Sequence, residues 1–374
     1  MTESLRILQL YPKSDYFTGA AVQLLELAAG LQRRGHHVVV ATRDGGAWAE
    51  KCAAAGIPFY PVPMRSELDL ASVAPLVRIL RRHRIQIVHA QKGRARTLAL
   101  MASLFTRIPA IVLNRGVSFP LERLSRVGYT TRRVAAIVAV SKSIKQGLIA
   151  RGVPDGKIHV IHSGTDTDRF HPSTDGSRVR HELGLGPEHY LVTQIGIRSQ
   201  KGNDDTMEAM RIVALKAPQA RLLFVGANEA KARIFRDKAV ARGLADRMHI
   251  LRYREDIPEI LAASDVCVDA SYAGLGLTGS LREALAVETP VVGADIEGNP
   301  ELITDGETGL LFPPRDFDAL ACAILRLIEN PHHAEAMASA GRKRVEAEFS
   351  LATKLDRTEA LYARLVALAE GSEP

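Results

Sequence analysis

Between Gly196 and Gly202 the chain reads Gly-Ile-Arg-Ser-Gln-Lys-Gly, which puts two cations, Arg198 and Lys201, where an apolar run over 191–195 ends and a helical pattern begins. Two cations beside a helix start repel one another and gain nothing from the helix dipole, so an anion is their natural partner. A second stretch, 268–303, reads as strand, Gly-rich loop, helix, strand, loop. Gly274 and Gly276 free the backbone for a tight turn, and Thr278 or Ser280 can cap a helix running through Leu281, Glu283, Leu285 and Ala286. Unpaired N–H groups around Thr278, Gly279, Ser280 and Leu281 would face a phosphate, and the carboxylate of Glu283 can accept from a sugar diol. Each piece has a plainer reading. Glycine between strand and helix serves turn geometry alone, and an acid at a helix front is favoured by the dipole with no ligand present. Two such loops in one α/β domain nevertheless point to a single diphosphate between them.

The elements that must position these loops follow from the pattern of apolar runs. At 374 residues the chain is long for one domain, and 46% hydrophobic with 24% charged residues is the composition of a globular protein with a full core. Apolar runs at 5–10, 37–42, 57–62, 85–90, 110–113, 136–140 and 158–161 alternate with helical patterns at 21–34, 71–82, 97–105 and 143–151. After a polar break the scheme repeats, with runs at 191–195, 221–225, 249–253, 266–270, 291–294 and 310–312. Such alternation means parallel sheets covered on both faces. The expected fold is α/β, two doubly wound Rossmann-like domains at 1–172 and 173–350 facing each other across a cleft. Ligands of such sheets sit outside the carboxyl ends of the strands, so that cleft is the expected active site.

These two stretches, with GNPELITDGETGLLFPPRDFDALACAI after them, GAAVQLLELAAGLQRRGHHVVVAT near the start and KIHVIHSGTDTDRFHP between, resemble the nucleotide-sugar glycosyltransferases of family 4. Those are retaining enzymes of the GT-B fold, and the resemblance runs over nearly the whole chain. It implies transfer of a sugar from a nucleoside-diphosphate sugar, with 1–172 receiving the acceptor, 173–350 holding the donor, and the segment 351–374 crossing back onto the first domain. Arg198 and Lys201 match the family's Arg and Lys that hold the diphosphate, and Glu283 matches the second Glu of its paired-Glu motif, which binds the ribose hydroxyls; these three form the expected catalytic set. Gly19 would let backbone approach the donor phosphate, although the family's Gly pair is here Gly19-Ala20. Gly196 and Gly276 shape the two donor loops. Glu301 matches a Glu common in the family, with a helix-start carboxylate as the equal alternative. The first Glu of the pair has no counterpart: Leu275 stands eight positions before Glu283, and an offset alignment puts Ala273 there. The donor sugar therefore does not carry over, and two other readings stay open, a non-catalytic glycosyltransferase-like binding protein and a sugar-nucleotide epimerase on the same fold. The family's His after the fifth strand is replaced by Arg115, with Ser118 nearby. His89 is a further acceptor-side candidate, as is His162, each with a packed histidine as its plainer reading. No metal and no cofactor are expected, since the chain has no Asp-x-Asp or His cluster and Asp204-Asp205 reads as a helix start.

Charge is unevenly spread. Residues 1–172 carry 25 Lys/Arg against 11 Asp/Glu, residues 173–374 carry 24 against 31, and 65–133 alone holds 14 basic and 3 acidic residues. A patch of that sign attracts an anionic partner. A solvated Arg-rich surface is the plain alternative. Nucleic acid is disfavoured, because no aromatic stacking set accompanies the basic residues. An anionic lipid-linked or phosphorylated glycan acceptor of cell-envelope polysaccharide or lipopolysaccharide assembly fits better, with peripheral contact at an anionic membrane. The three cysteines, Cys52, Cys267 and Cys322, follow no metal or disulfide spacing. No basic-then-apolar signal pattern opens the chain, and a cytoplasmic location, at the inner face of the cell membrane where the basic surface meets it, is expected.

Overall fold

The computed structural model describes residues 3–14, 18–43, 45–119, 121, 123–274 and 276–371. The chain divides into two compact units. The first takes in Met1–Gly164 and Leu351–Pro374, the second Thr165–Ser350. The first contains strands β1 (Arg6–Tyr11), β2 (His37–Thr42), β3 (Phe59–Pro61), β4 (Ile87–Gln91), β5 (Ala110–Arg115), β6 (Val134–Ala139) and β7 (Ile158–Val160), in the order β3-β2-β1-β4-β5-β6-β7. The second contains β8 (Tyr190–Ile195), β9 (Ala220–Val225), β10 (Met248–Leu251), β11 (Val266–Asp269), β12 (Val291–Ala294) and β13 (Leu310–Phe312), in the order β10-β9-β8-β11-β12-β13. Every pairing is parallel. Both sheets are Rossmann-like, and their order reverses beside the first strand of each unit, between β1 and β4 and between β8 and β11. There the loops after neighbouring strands part and leave room for a ligand.

Central strands are buried on both faces. β8 runs YLVTQI with Leu191, Val192, Thr193 and Gln194 all buried, and β11 runs VCVD with every side chain buried. Mostly apolar runs, interrupted here by buried Thr193, Gln194 and Asp269, are what a covered parallel sheet gives. The helix Lys92–Ala102 starts five residues before the expected position, because Ala95, Leu98, Ala99 and Ala102 supply its buried face. Lys92, Arg94 and Arg96 are therefore helical rather than loop residues.

The boundary expected after residue 172 lies instead at Gly164 and Thr165. Thr165 belongs to the second unit because its N–H donates to the Phe349 carbonyl at 2.9 Å and it bridges Ser350 in parallel. The helix Leu351–Glu370 lies on the helix Gly19–Arg33 of the first unit. Lys354 Nζ donates to the Gln23 carbonyl at 2.8 Å, and Arg34 pairs with Asp356 at 2.7 Å and Glu359 at 2.8 Å.

Beneath that helix His89 is buried, with Nδ1 2.7 Å from the Tyr362 hydroxyl. Burial, reinforced by the charge of Lys354, pushes its pKa down to about 3. A histidine with a lower pKa folded than unfolded takes up its proton preferentially in the unfolded chain. Its contribution is thus intact above about pH 6.5 and is lost as the pH falls toward the folded value. Urea unfolding of the wild type and His89→Gln between about pH 6 and pH 4 should show slopes differing by up to about 1.4 kcal/mol per pH unit, the wild type being the steeper. Parallel curves would show that His89 titrates in the folded protein as it does in the unfolded one.

Candidate functional site

Arg198 and Lys201 occupy one loop in unlike surroundings. β8 ends at Ile195, and Gly196 turns the chain with φ +95°, a conformation that side chains resist. Lys201 closes the 3₁₀ turn Ser199–Lys201, and its ammonium is ion-paired with Asp269, the last residue of β11, both side chains being buried. The charge that the sequence leaves open for an anion is therefore already balanced by a carboxylate. Arg198, by contrast, is exposed and has no ion pair or side-chain hydrogen bond among the described residues. The loop is held from three sides. Gln194 Nε2 donates to the Lys201 carbonyl at 2.6 Å, the Tyr272 hydroxyl to the Ser199 carbonyl at 2.7 Å, and the Tyr272 N–H to the Gln200 carbonyl at 3.0 Å. Gly202 caps the helix Asn203–Lys216 at φ +62°, where a Cβ would overlap the Ala270 carbonyl oxygen. Beside Arg198 opens a cavity of about 300 Å³, lined also by Lys231, Asp205, Tyr272 and Arg315. The Arg315 guanidinium stacks 3.8 Å from the Tyr272 ring centre, and burial raises the Asp205 carboxyl while the charge of Arg315 opposes it.

The helix expected after the Gly-rich loop is Gly279–Ala286, with Leu281, Ala284, Leu285 and Ala286 in the core. Its expected cap is missing. The Thr278 hydroxyl donates instead to Asn299 Oδ1 at 2.7 Å, and Ser280 Oγ is buried with no hydrogen-bond partner among the described residues. The N–H groups of Gly279, Ser280 and Leu281 have no acceptor among the described residues. Glu283 turns back over this first turn, since a Cβ added at Gly279 would lie 3.6 Å from its Oε1. Its carboxylate is half-buried and has no hydrogen-bond partner among the described residues. Burial raises the carboxyl above its ordinary pKa, against the charges of Arg282, Arg169 and Lys201. The result is a helix turn with three N–H groups and one hydroxyl that lack partners among the described residues, and a single carboxylate acceptor at its side. Such a set suits a phosphate carrying a diol nearby.

Gly276 is buried, and a Cβ on Gly298 would overlap its carbonyl oxygen, so the loop lies against the segment before the short helix Asn299–Leu302. Glu301 lies in that helix, where its carbonyl accepts from Arg344 at 2.9 Å. Leu275 lies outside the described residues. In the first unit, Gly19 opens the helix Gly19–Arg33, and a Cβ there would meet no atom within 4 Å, so packing does not demand the glycine. Arg115 ends β5 and donates to the Phe119 carbonyl, with half-buried Ser118 in the same loop. His89 does not join them. It is closed in by Tyr362, which makes it a packed histidine, and His162 is buried as well. Among the described residues no group of three or more His, Cys, Asp or Glu is placed to hold a metal ion.

Asp269, Arg282 and Asn299 are the site residues that sequence reasoning missed. Asp269 is a polar residue in an otherwise apolar, buried run, and that signal could have found it; Arg282, beside Glu283, and Asn299, between Gly298 and Pro300, carry no such signal.

Residues 17–169 match the family model Glycosyltransferase Family 4, and residues 189–330 match Glycosyl transferases group 1. The chain is 31% identical over 253 residues to the lipopolysaccharide core biosynthesis mannosyltransferase LpsB of Rhizobium meliloti, covering 64% of this chain and 68% of that protein. It is 29% identical over 349 residues to a GDP-mannose-dependent alpha-(1-6)-phosphatidylinositol monomannoside mannosyltransferase of Mycolicibacterium smegmatis, covering 87% and 89%. A crystal structure of Anabaena HepE in complex with UDP and glucose superposes with a TM-score of 0.86 at 22% identity, over 96% of this chain and all of that one, which bears on the fold alone. With an uncapped helix turn and an open carboxylate beside the loop of Arg198 and Lys201, and with these relatives, the chain belongs to family 4 of the glycosyltransferases and has the GT-B fold.

Proposed function

We propose that the protein moves a sugar from a nucleoside-diphosphate sugar to a glycan or lipid-linked acceptor of the cell envelope, with retention of the anomeric configuration. The observation that carries this reading is the uncapped first turn of Gly279–Ala286, where Ser280 Oγ and three N–H groups lack partners among the described residues beside the carboxylate of Glu283. The diphosphate seats on that turn, and Glu283 accepts from the ribose diol. That HepE binds UDP and the mycobacterial relative uses GDP-mannose supports a donor of this class. Arg198, exposed and unpaired among the described residues, swings onto the diphosphate and offsets the charge that develops on the departing nucleotide. Lys201, its charge balanced by Asp269, fixes the loop that carries Arg198. No carboxylate is known at the position where the family carries its first Glu, so the acceptor attacks on the face the nucleotide leaves, its proton passing to the departing phosphate oxygen. The first unit receives the acceptor, with Arg115 and Ser118 at the end of β5 as its candidate contacts and Gly19 giving a phosphate room to approach. Within its basic stretch 65–133 it exposes Leu68, Leu70, Leu104, Phe105 and Val127, a composition suited to an anionic membrane. Among the described residues no helix is long and apolar enough to cross one.

Arg198→Ala should lower turnover by about a hundredfold, the scale of one lost transition-state charge stabiliser, with an unchanged melting temperature. Lys201→Ala should lose stability as well, by about 3–5 kcal/mol, because Asp269 is left buried and unpaired. Equal melting temperatures for the two variants would refute that division of labour. Glu283→Ala should weaken nucleotide binding most, which calorimetry with UDP and GDP reads directly.

The anionic-membrane contact is tested by sedimentation with neutral and acidic vesicles at low and raised salt. Binding only to acidic vesicles, released by salt, is expected; equal binding to both removes the idea. Transfer should also survive EDTA. Activity lost in chelator and restored by manganese or magnesium would show that an ion handles the leaving-group charge, and an inverted product would overturn the same-face mechanism.

A further inference from the structure

Arg282, next to Glu283 in sequence, points into the protein. Its side chain is 2% exposed and its Nε donates to Thr165 Oγ1 at 2.6 Å. Thr165 is equally buried and doubly fixed, by its N–H bond to the Phe349 carbonyl and its bridge to Ser350. The chain enters the second unit at Thr165 and leaves it at Ser350, so Arg282 is anchored where both ends of that unit are tied together. The far end of the same helix is held by Arg342, from the helix Pro331–Glu348. Arg342 NH1 donates to the carbonyl of Ala286, the last helical residue, and to that of Phe170 at 3.0 Å. Arg169, beside Phe170, donates to the Glu255 carbonyl at 2.8 Å. Thr165 thus braces Gly279–Ala286 directly, and Phe170 is tied to its far end through Arg342.

A helix of eight residues has little stability of its own, so outside tethers decide its rotation. Adjacent side chains on a helix diverge by about 100°. Any turn of the helix that takes Arg282 off Thr165 therefore swings Glu283 by the same angle.

We propose that Arg282 is a positioning residue for nucleotide binding: through Thr165 it fixes the rotation of the helix Gly279–Ala286, and so the direction in which Glu283 and the N–H groups of Gly279, Ser280 and Leu281 face the ligand. The proposal rests on reading Glu283 as the ribose-binding carboxylate. A displacement of about 1 Å at such a contact can cost about a hundredfold in rate, so a brace outside the ligand's reach matters. Charge adds a second, separable effect. The groups that face the Glu283 carboxyl are Arg282 on its own helix, Arg169 beside Phe170, Lys201 on the loop after β8 with its partner Asp269, and the Cys267 thiol in β11. Burial favours the protonated carboxyl, which cannot accept from a diol, and the three cations act against it. Removing Arg282 lets that carboxyl's pKa rise, so binding is lost at a higher pH on acidification.

The test is calorimetric titration of the full chain with UDP and with GDP from about pH 5 to pH 8, alongside melting temperatures, for the wild type, Thr165→Val, Arg282→Met, Arg282→Lys and Glu283→Ala. Thr165→Val keeps every charge and loses only the acceptor of the Arg282 bond. It should bind about tenfold more weakly at every pH, with the acid limb unmoved. Arg282→Met should bind more weakly and move the acid limb to higher pH, and Arg282→Lys should bring the limb back. If Arg282→Met fails to fold, Thr165→Val decides alone. Wild-type affinity in folded Thr165→Val, with Glu283→Ala impaired, overturns the positioning role. Wild-type affinity in Glu283→Ala overturns the reading of Glu283 beneath it.

Discussion

The ion pair of Lys201 with Asp269 is the contact on which the ligand-facing edge of the second unit depends. β8 and β11 are neighbours in the sheet, and the pair joins the loop after one to the end of the other inside the protein, where neither charge has water to fall back on. Breaking such a pair by removing one partner costs about 3–5 kcal/mol, because the survivor stays buried and uncompensated. The bonds from Gln194 and Tyr272 then hold the same loop by neutral contacts of about 1 kcal/mol each. The hierarchy is clear from these magnitudes: the pair sets the loop, the neutral bonds refine it, and Arg198 is left as the loop's exposed charge, unpaired among the described residues.

The helix Gly279–Ala286 complements this rigid loop by what it leaves unmade. Thr278 spends its hydroxyl on Asn299, whose Nδ2 in turn donates to the Ala294 carbonyl at 3.0 Å at the end of β12. That network fixes the approach to the helix without using the donors of its first turn. A buried polar group without a partner costs about 1–3 kcal/mol. Ser280 Oγ carries that cost in the absence of a ligand, and a bound phosphate would relieve it.

Both sheets were legible in the sequence because parallel strands covered on two faces are mostly apolar, and β2, β12 and β13 fall where the runs place them. Edges were less legible. β3 shrinks to Phe59–Pro61 at the sheet margin, where proline has no N–H to give, and KGRAR lies before the expected helix start although Ala95, with Leu98, Ala99 and Ala102, belongs to a buried helical face. At the site, the two cations and the helix start could be read from types and spacing alone. Their partners could not. Asp269 lies 68 residues from Lys201, and only the strand order brings them together. Thr278 looks like a cap until Asn299 competes for it, and His89 looks like an acceptor-side base until Tyr362 closes over it. The unit boundary was missed for the same reason, since the pairing of Thr165 with Ser350 spans the whole second unit.

Amide hydrogen exchange of the full chain, with and without saturating UDP or GDP, tests the seat of the diphosphate most directly. The N–H groups of Gly279, Ser280 and Leu281 are bound by nothing in the described protein, so they should exchange readily in the free protein and slow severalfold or more when nucleotide binds. Nucleotide binding that leaves those three amides exchanging at their free rate would contradict the assignment of this turn as the phosphate cradle.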